Sequence, residues 1–270
     1  MSLRLGVTVP EGLSGRELRE FARRAESLGY DHLSVAEHLS SHTPAYESAT
    51  LVAHLAAVTT RIELCTCMLI LPHRPVVLAA KQAAQLSDLA EGRLRLGVAA
   101  GGDPAESAAL GLGPATRAAL FGEQLAALRR LWTGDEVSAE GAHVTFGPVT
   151  LTPRPTHHIP LWLGGGSLRT AGRPGQEVLL RTARHADGFT MSRLLANRVE
   201  RGSRVVEALR GALSAVGRDP SAFGVEARLL PERSPDWRTQ ARSWKEAGAT
   251  HLTVTTDDSD LLAQVIAAMT

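Results

Sequence analysis

The sequence predicts a (β/α)8 barrel of the TIM type, built as a single domain over residues 1–270 with a short insertion after the fourth helix. Three observations carry that expectation. The first is the stretch Arg61–Gly102, which reads as strand, loop, helix, turn and strand. Its two strands should be parallel with a right-handed crossover. The second is that the same alternation recurs along the chain, giving eight strands and eight helices in about 250 residues. The third concerns the turn after the first strand. It reads VPEGLSG, not the G-x-G-x-x-G that a doubly wound nucleotide-binding sheet would place there.

Each element has its own local signal. Leu3–Val9 is the first strand, and Ser14–Ser27 a helix opened by the capping-box pair Ser14 and Glu17 and ended at Gly29. His32–Ala36 is the second strand, with Glu37-His38 at its C-terminal end, and Glu47–Val58 the second helix. Arg61–Leu71 is apolar and β-leaning, as expected of a strand buried on both faces. Pro72 and Pro75 end it and prepare the next helix, because proline fixes φ and suits a first turn. In Val76–Ala90 the residues Val77, Ala80, Ala84, Leu86 and Leu89 fall on a helical period, and Glu91-Gly92 leads into the strand Arg93–Ala100.

The loop Asp103–Pro114 precedes a long amphipathic helix, Thr116–Trp132. The insertion Val137–Leu151 has a turn at Glu140-Gly141 and reads as a hairpin or extended excursion. Pro160–Gly164 is the fifth strand and runs into Gly164-Gly165-Gly166-Ser167. Then follow a helix within Gln176–His185, strand Asp187–Met191, helix Ala196–Val216, strand Phe223–Leu229, helix Trp237–Ala247, strand His251–Thr255 and helix Leu261–Met269. On such barrels ligands bind where the strands end at their C-terminal side.

The formal net charge of +1 indicates no general polyanion-binding role, so no nucleic-acid partner is expected. The chain opens on a strand, and no run is apolar and long enough to span a membrane, so a cytoplasmic location away from membranes is expected. Cys65 and Cys67 share one face of a strand at a separation long for a disulfide, and read most simply as small apolar core residues. A Cys-x-Cys metal site would need further ligands, and only His73 offers itself nearby, so no metal is assigned. Trp132, Trp162, Trp237 and Trp244 read as core, and His42 and His73 as loop residues outside the catalytic set. No Ser-His-Asp order, Walker loop or paired carboxylate is apparent.

From Leu5 to about Gly188 the segments ARRAESLGYDHLSVAEHL, TRIELCTCMLILPHRP, LSDLAEGRLRLGVAAG, LRRLWTGDEV, LTPRPTHHIPLWLGGGS and ADGF follow in order. In that order and spacing the chain resembles the luciferase-like monooxygenase superfamily, especially its branch that uses the deazaflavin coenzyme F420. The resemblance implies a barrel that binds a flavin or deazaflavin at its C-terminal face, and a homodimer as the assembly. It implies a non-prolyl cis peptide at Cys67-Met68 backing the cofactor ring, with Cys65 where a glycine is usual. Glu37-His38 matches an acidic-His pair in which aspartate is commoner. His38 would then lie near the ring's reactive carbon as acid, base or electrostatic stabiliser.

Gly164, Gly165, Gly166 and Ser167 match a phosphate-binding turn, helped by the next helix N-terminus and by Arg169 or Arg173. A plainer reading of the same glycines is a tight strand-to-helix turn. Gly97–Gly102 matches the glycine-rich end of the fourth strand, which puts Gly101 at the cofactor and Ala99 where glycine is usual. Sugar-phosphate dehydrogenases of the family carry a glutamate about where Gly102 falls, so that substrate class is not expected; Glu106 reads as a helix residue. The function implied is hydride transfer between coenzyme F420 and a small organic substrate. Two alternatives stay open, an FMN-dependent monooxygenase and a cofactor-free binding barrel.

Overall fold

The computed structural model describes residues 2–39, 45–166, 170–234 and 236–269. Eight strands close into a parallel barrel. In chain order they are β1 (Arg4–Thr8), β2 (His32–Val35), β3 (Glu63–Ile70) and β4 (Leu94–Ala99), and, after an insertion holding β5 (Val137–Glu140) and β6 (Thr145–Val149), β7 (Leu161–Gly165), β8 (Gly188–Met191), β9 (Gly224–Leu229) and β10 (His251–Val254). Each wall strand pairs with the next in the chain, β4 with β7 across the insertion, and β10 closes on β1. The insertion is an antiparallel hairpin of β5 and β6, lying apart from the barrel sheet.

The helices fall where the apolar periods place them. They are α1 (Gly15–Leu28), α2 (Ser48–Ala56), α3 (Val76–Leu89), α4 (Pro104–Ala109), α5 (Pro114–Thr133), α6 (Gln176–His185), α7 (Val199–Ala215), α8 (Trp237–Glu246) and α9 (Ser259–Met269). The capping box forms: the Ser14 side chain accepts from the Glu17 N–H while the Glu17 carboxylate accepts from Ser14. Gly29, at φ 95°, ends α1 in the left-handed region that favours glycine. α4 corrects the expectation of a plain loop between Asp103 and Pro114. Asp103 caps it by accepting from the N–H groups of Ala105 and Glu106, and Pro104 occupies its first turn.

The strands differ from the sequence reading in one respect that matters for function. They are buried on both faces, but only the outer face is apolar. Leu5, Val7, Leu33, Val35, Leu64, Leu94, Leu96, Leu161, Leu163, Leu252 and Val254 alternate with inward residues and are buried in the apolar cluster between barrel and helices. The inward residues are polar or glycine. His32 Nε2 lies 2.9 Å from Thr253 Oγ1, and Arg95 Nη1 donates to Glu226 Oε2 at 2.7 Å. His32 Nε2 and Glu226 Oε2 are 3.7 Å apart. Those contacts join β2 to β10 and β4 to β9, strands that are not neighbours, so the side chains meet across the lumen.

The Arg95 guanidinium also stacks over the Trp162 ring at 4.3 Å, and Trp162 meets His251 edge-on at 4.8 Å. Trp162 fits because Gly188 and Gly224 line its slot: a Cβ on either would come within 2.2 Å of the indole. All four tryptophans are buried, as their sequence positions suggested. The two cysteines are not apolar filler, however. The buried Cys65 Sγ accepts from Arg95 Nε at 3.0 Å, so a strand taken as uniformly apolar carries a polar inner edge.

Two buried histidines make this interior acid-sensitive. Burial, then the neighbouring Arg95, pushes both imidazoles down, His251 to about 2 and His32 well below its ordinary value. Both therefore stay neutral in the fold, while the unfolded chain protonates them below about pH 6.5. The unfolded state binds the extra protons, so stability should fall as pH drops from about 6.5 to 4.5, by up to about 1.4 kcal/mol per unit for each histidine. His73 and His185, also pushed down by burial, add to the effect with the same sign. Melting temperatures across that range test this: His251→Asn should flatten the slope, and a variant with the wild-type slope would remove His251 from the account.

Candidate active site

The loops that follow the strands enclose a cavity of about 1080 Å³ at the C-terminal end of the barrel. Each strand of the wall, or the segment that follows it, contributes lining, from Thr8 at the end of β1 to Thr255 just after β10. Glu37, His38, Cys67, Met68, Gly101, Gly164, Gly165 and Gly166, the residues singled out from the sequence, all border it. Ser167, His42 and Arg169 lie outside the described residues. Arg173 borders the cavity as well, whereas His73 sits in a 3-10 turn with both ring nitrogens shielded and without hydrogen bonds.

β3 shapes the base of the cavity. Its register against β4 jumps between Thr66 and Leu69, and the Cys67–Met68 peptide is cis, at the place the resemblance implied. Met68 lies between two glycine positions: a Cβ on Gly97 would stand 2.9 Å from Met68 Cε, and one on Gly164 2.8 Å from Met68 Cγ. Cys67 Sγ accepts from Arg228 Nη2 at 2.5 Å. Burial pushes the Cys67 thiol up, which keeps it protonated at neutral pH despite the adjacent guanidinium.

The glycine run after β7 answers to packing at each of its three positions. Gly164 leaves room for Met68, Gly165 for Val178 and Phe189, and Gly166 adopts φ 103° with the Gly172 carbonyl 1.9 Å from where a Cβ would sit. The helix that follows begins at Gln176, where the sequence places it. Its N-cap, Gly175, has no side-chain cap and borders the cavity. Gly101 is likewise at φ 83°, and a Cβ there would come within 2.8 Å of Ile70.

Glu37 and His38 are neighbours in sequence but face different tasks. Glu37 is buried, and its carboxylate accepts from Arg74 Nη2 at 3.0 Å, from Ser48 Oγ at 2.5 Å and from the Ile70 N–H at 3.1 Å. Those bonds use its acceptor oxygens and tie the segment after β2 to the end of β3. The geometry suits a positioning carboxylate, at the edge of the cavity that Glu37 also borders. His38 stands at the rim with about half of its side chain exposed. Its Nε2 lies 3.8 Å from Glu11 Oε1 and its Nδ1 3.9 Å from Glu106 Oε1.

Glu11 and Glu106 were not among the residues picked from the sequence. Glu106 is delivered by α4, is buried, and accepts from the Leu39 N–H at 2.9 Å. The missed signal was the Asp103-Pro104 helix start, which turns Glu106 toward the segment after β2. Also missed was the charged interior: Arg95, Glu226 and Arg228 sit at alternate strand positions, where i, i+2 spacing puts side chains on one face. A half-exposed imidazole between two carboxylates, at the rim of an open cavity, is placed to exchange a proton with a bound substrate.

Comparison with known proteins agrees with this architecture. The luciferase-like monooxygenase family matches residues 3–254. An uncharacterised protein of Mycobacterium tuberculosis is 30% identical over 243 residues, covering 80% of this chain and 81% of that protein. An F420-dependent glucose-6-phosphate dehydrogenase of Beutenbergia cavernae is 32% identical over 207 residues, covering 72% of this chain and 61% of that enzyme. Among solved structures, an F420-dependent secondary alcohol dehydrogenase in complex with an F420-acetone adduct superposes with a TM-score of 0.83 at 17% identity, over 100% of both chains. The fold is thus that of TIM-barrel luciferase-like enzymes. With a family match spanning nearly all of its length, the chain belongs to the luciferase-like monooxygenase family.

Proposed function

We propose that the protein is an oxidoreductase that moves hydride between coenzyme F420 and a small organic substrate. The observation that carries this reading is His38 at the cavity rim between Glu11 and Glu106. A carbonyl that accepts hydride must also gain a proton, and an alcohol that gives hydride up must lose one. His38 is the titratable group best placed to serve that oxygen. The cavity suits a ring cofactor: its volume is at the upper end for small-molecule sites, and glycines at 97 and 164 keep the Met68 surface open. Bound there, coenzyme F420 would supply two-electron hydride chemistry.

The chain's own residues do the rest. Met68 and Cys67 form the surface against which a ring would lie. Gly164 to Gly166, Gly175 and Arg173 border the end of the cavity where a phosphate would meet backbone N–H groups and a positive charge. Glu37 and Arg74 hold the segments after β2 and β3 together, so that His38 faces the cavity. The departures at Cys65 and Ala99 leave this arrangement open, because Cys65 turns into the lumen toward Arg95 and alanine adds only a methyl group. That weighs against a barrel that has lost its cofactor. An FMN-dependent monooxygenase is the second reading, and it is favoured by the family to which the chain belongs.

Fluorescence titration of the purified protein with coenzyme F420 and, in parallel, with FMN tests the reading directly. Saturable binding of coenzyme F420 in preference to FMN is expected. Preference for FMN would transfer the assignment to oxygen-dependent chemistry, and binding of neither would favour the cofactor-free barrel.

His38→Ala should slow oxidation of the bound reduced cofactor by small carbonyl compounds by about 10²–10⁴-fold. Cofactor affinity and melting temperature should be unchanged. An unaltered rate on a carbonyl that the wild type reduces would remove His38 from proton transfer. Glu37→Gln should behave in the opposite way. It weakens charge-assisted bonds to Arg74 and Ser48 and should cost on the order of 1.5–3 kcal/mol of stability in denaturant unfolding. A Glu37→Gln variant as stable as wild type, yet inactive, would return Glu37 to the chemistry.

A further inference from the structure

The charged groups in the barrel lumen do not balance. Three guanidinium groups, Arg4, Arg95 and Arg228, face two carboxylates, Glu63 and Glu226. Arg4 and Glu63 lie 3.5 Å apart at the N-terminal end, where Arg4 is 41% exposed and water screens the pair. Deeper in, Glu226 is shared unequally: it lies 2.7 Å from Arg95 and 3.8 Å from Arg228. Burial opposes ionisation of Glu226, but Arg95 and Arg228 together outweigh it and hold its pKa below the usual carboxylate range. Arg95 has Glu63 as a second carboxylate at 3.3 Å, whereas Arg228 has Glu226 alone, at 3.8 Å.

Arg228 is the member left short. It is 9% exposed, its Nη2 is taken by the Cys67 thiol, and its Nε is buried without a hydrogen bond. Arginine cannot escape by losing its proton. His32 and His251 are held neutral, and the Cys67 thiol stays protonated, so none of them offers an anion. Among the described residues, Arg228 forms no ion pair other than the long one to Glu226. Glu232 and Asp257 also border the cavity, but both are exposed at its mouth. A buried cation with half a counter-charge costs stability unless something else supplies the remainder. Arg228 also borders the cavity, beside Cys67.

We propose that Arg228 binds negative charge on the cofactor ring that lies against Cys67–Met68, so that the protein selects the ring in its anionic form. This rests on the cofactor reading above and adds to it the charge state that the site recognises. Arg228 would hold the ring's anionic edge through its guanidinium N–H groups. Glu226 and Arg95 would fix the guanidinium in place from below. Ring ionisation would thereby complete the charge balance that the lumen lacks.

The test is a spectrophotometric pH titration of bound coenzyme F420, whose ring loses a proton near neutrality with a change in absorbance. In wild-type protein the bound ring should ionise about 1–3 units below the free cofactor, the effect of an opposite charge at close range. In Arg228→Gln it should return to the free value, and Arg228→Lys should restore part of the shift. The melting temperature of the cofactor-free Arg228→Gln variant should equal or exceed that of wild type, because the lumen then carries no excess charge.

A bound ring that ionises at or above the free value in wild type would overturn the proposal without any variant, and so would equal values in wild type and Arg228→Gln. If FMN is the cofactor that binds, the same comparison is made on its reduced form, which also yields an anionic ring. Binding with no shift overturns only the role of Arg228. Binding of neither cofactor removes the cofactor reading, and this role with it.

Discussion

The contact between Arg95 and Glu226 across the lumen is the constraint on which the rest of the barrel depends. Both side chains are nearly inaccessible to water, at 2% and 1% exposure, and a pair taken so far out of solvent is stable only if its remaining donors and acceptors are met. The surrounding strands provide for much of this, leaving Arg95 Nη2 buried without a hydrogen bond. Cys65 accepts from Arg95 Nε, Trp162 offers the face of its ring, and Glu63 adds a second carboxylate at 3.3 Å. Space for these large groups comes from glycine on nearby strands of the wall, at Gly188 and Gly224 for Trp162 and at Gly6 for His32. With polar groups committed to the lumen, the apolar residues at the alternate positions must face outward. That is what gives the helices a continuous surface to dock on.

β3 links this interior to the cavity. Its first half contributes Glu63 and Cys65 to the charged lumen, and the register jump itself contributes Cys67 and Met68 to the cavity base. The bulge re-aims the chain so that one strand serves both regions. The strand's end is then fastened sideways, through Glu37 on the Ile70 N–H and Arg74 on both Glu37 and Glu47. His38 inherits its position from that fastening. A half-exposed side chain at a rim would otherwise have many rotamers, and the buried carboxylate one residue earlier restricts where its backbone can go.

Much of the fold was legible in the sequence because helices and barrel strands announce themselves through period and punctuation. Ser14 and Glu17, Gly29, Pro75 and Gly92 all mark element ends where the structure has them. The cavity residues were legible through order and spacing, since the chain matches its family along nearly its whole length. The lumen was harder to read. Short strands such as LRLGVA and GVEARL mix charge with apolar residues, and nothing local says whether an arginine points to water or across a closed barrel. Closure is a property of all eight strands at once. The pairing of Arg95 with Glu226 spans 131 positions and has no short-range signature. Glu106 was legible as a helix residue but not as a neighbour of His38, because their contact joins segments 68 positions apart and has no local signature.

The division of labour between the two ends of the barrel follows from where charge can be left uncompensated. At the N-terminal end Arg4 reaches solvent, so an excess positive charge there is screened at little cost. In the middle Arg95 has two carboxylates, at 2.7 and 3.3 Å. Arg228 is neither solvated like Arg4 nor matched like Arg95, and of the three it is the one at the ligand cavity. Stability alone would favour a neutral residue at that position. Retaining a cation there, two strand residues beyond a carboxylate already engaged elsewhere, makes sense when the missing charge arrives with what the cavity binds. The barrel then gains its last counter-ion on ligand binding, and the affinity for that ligand carries part of the cost of an unbalanced interior.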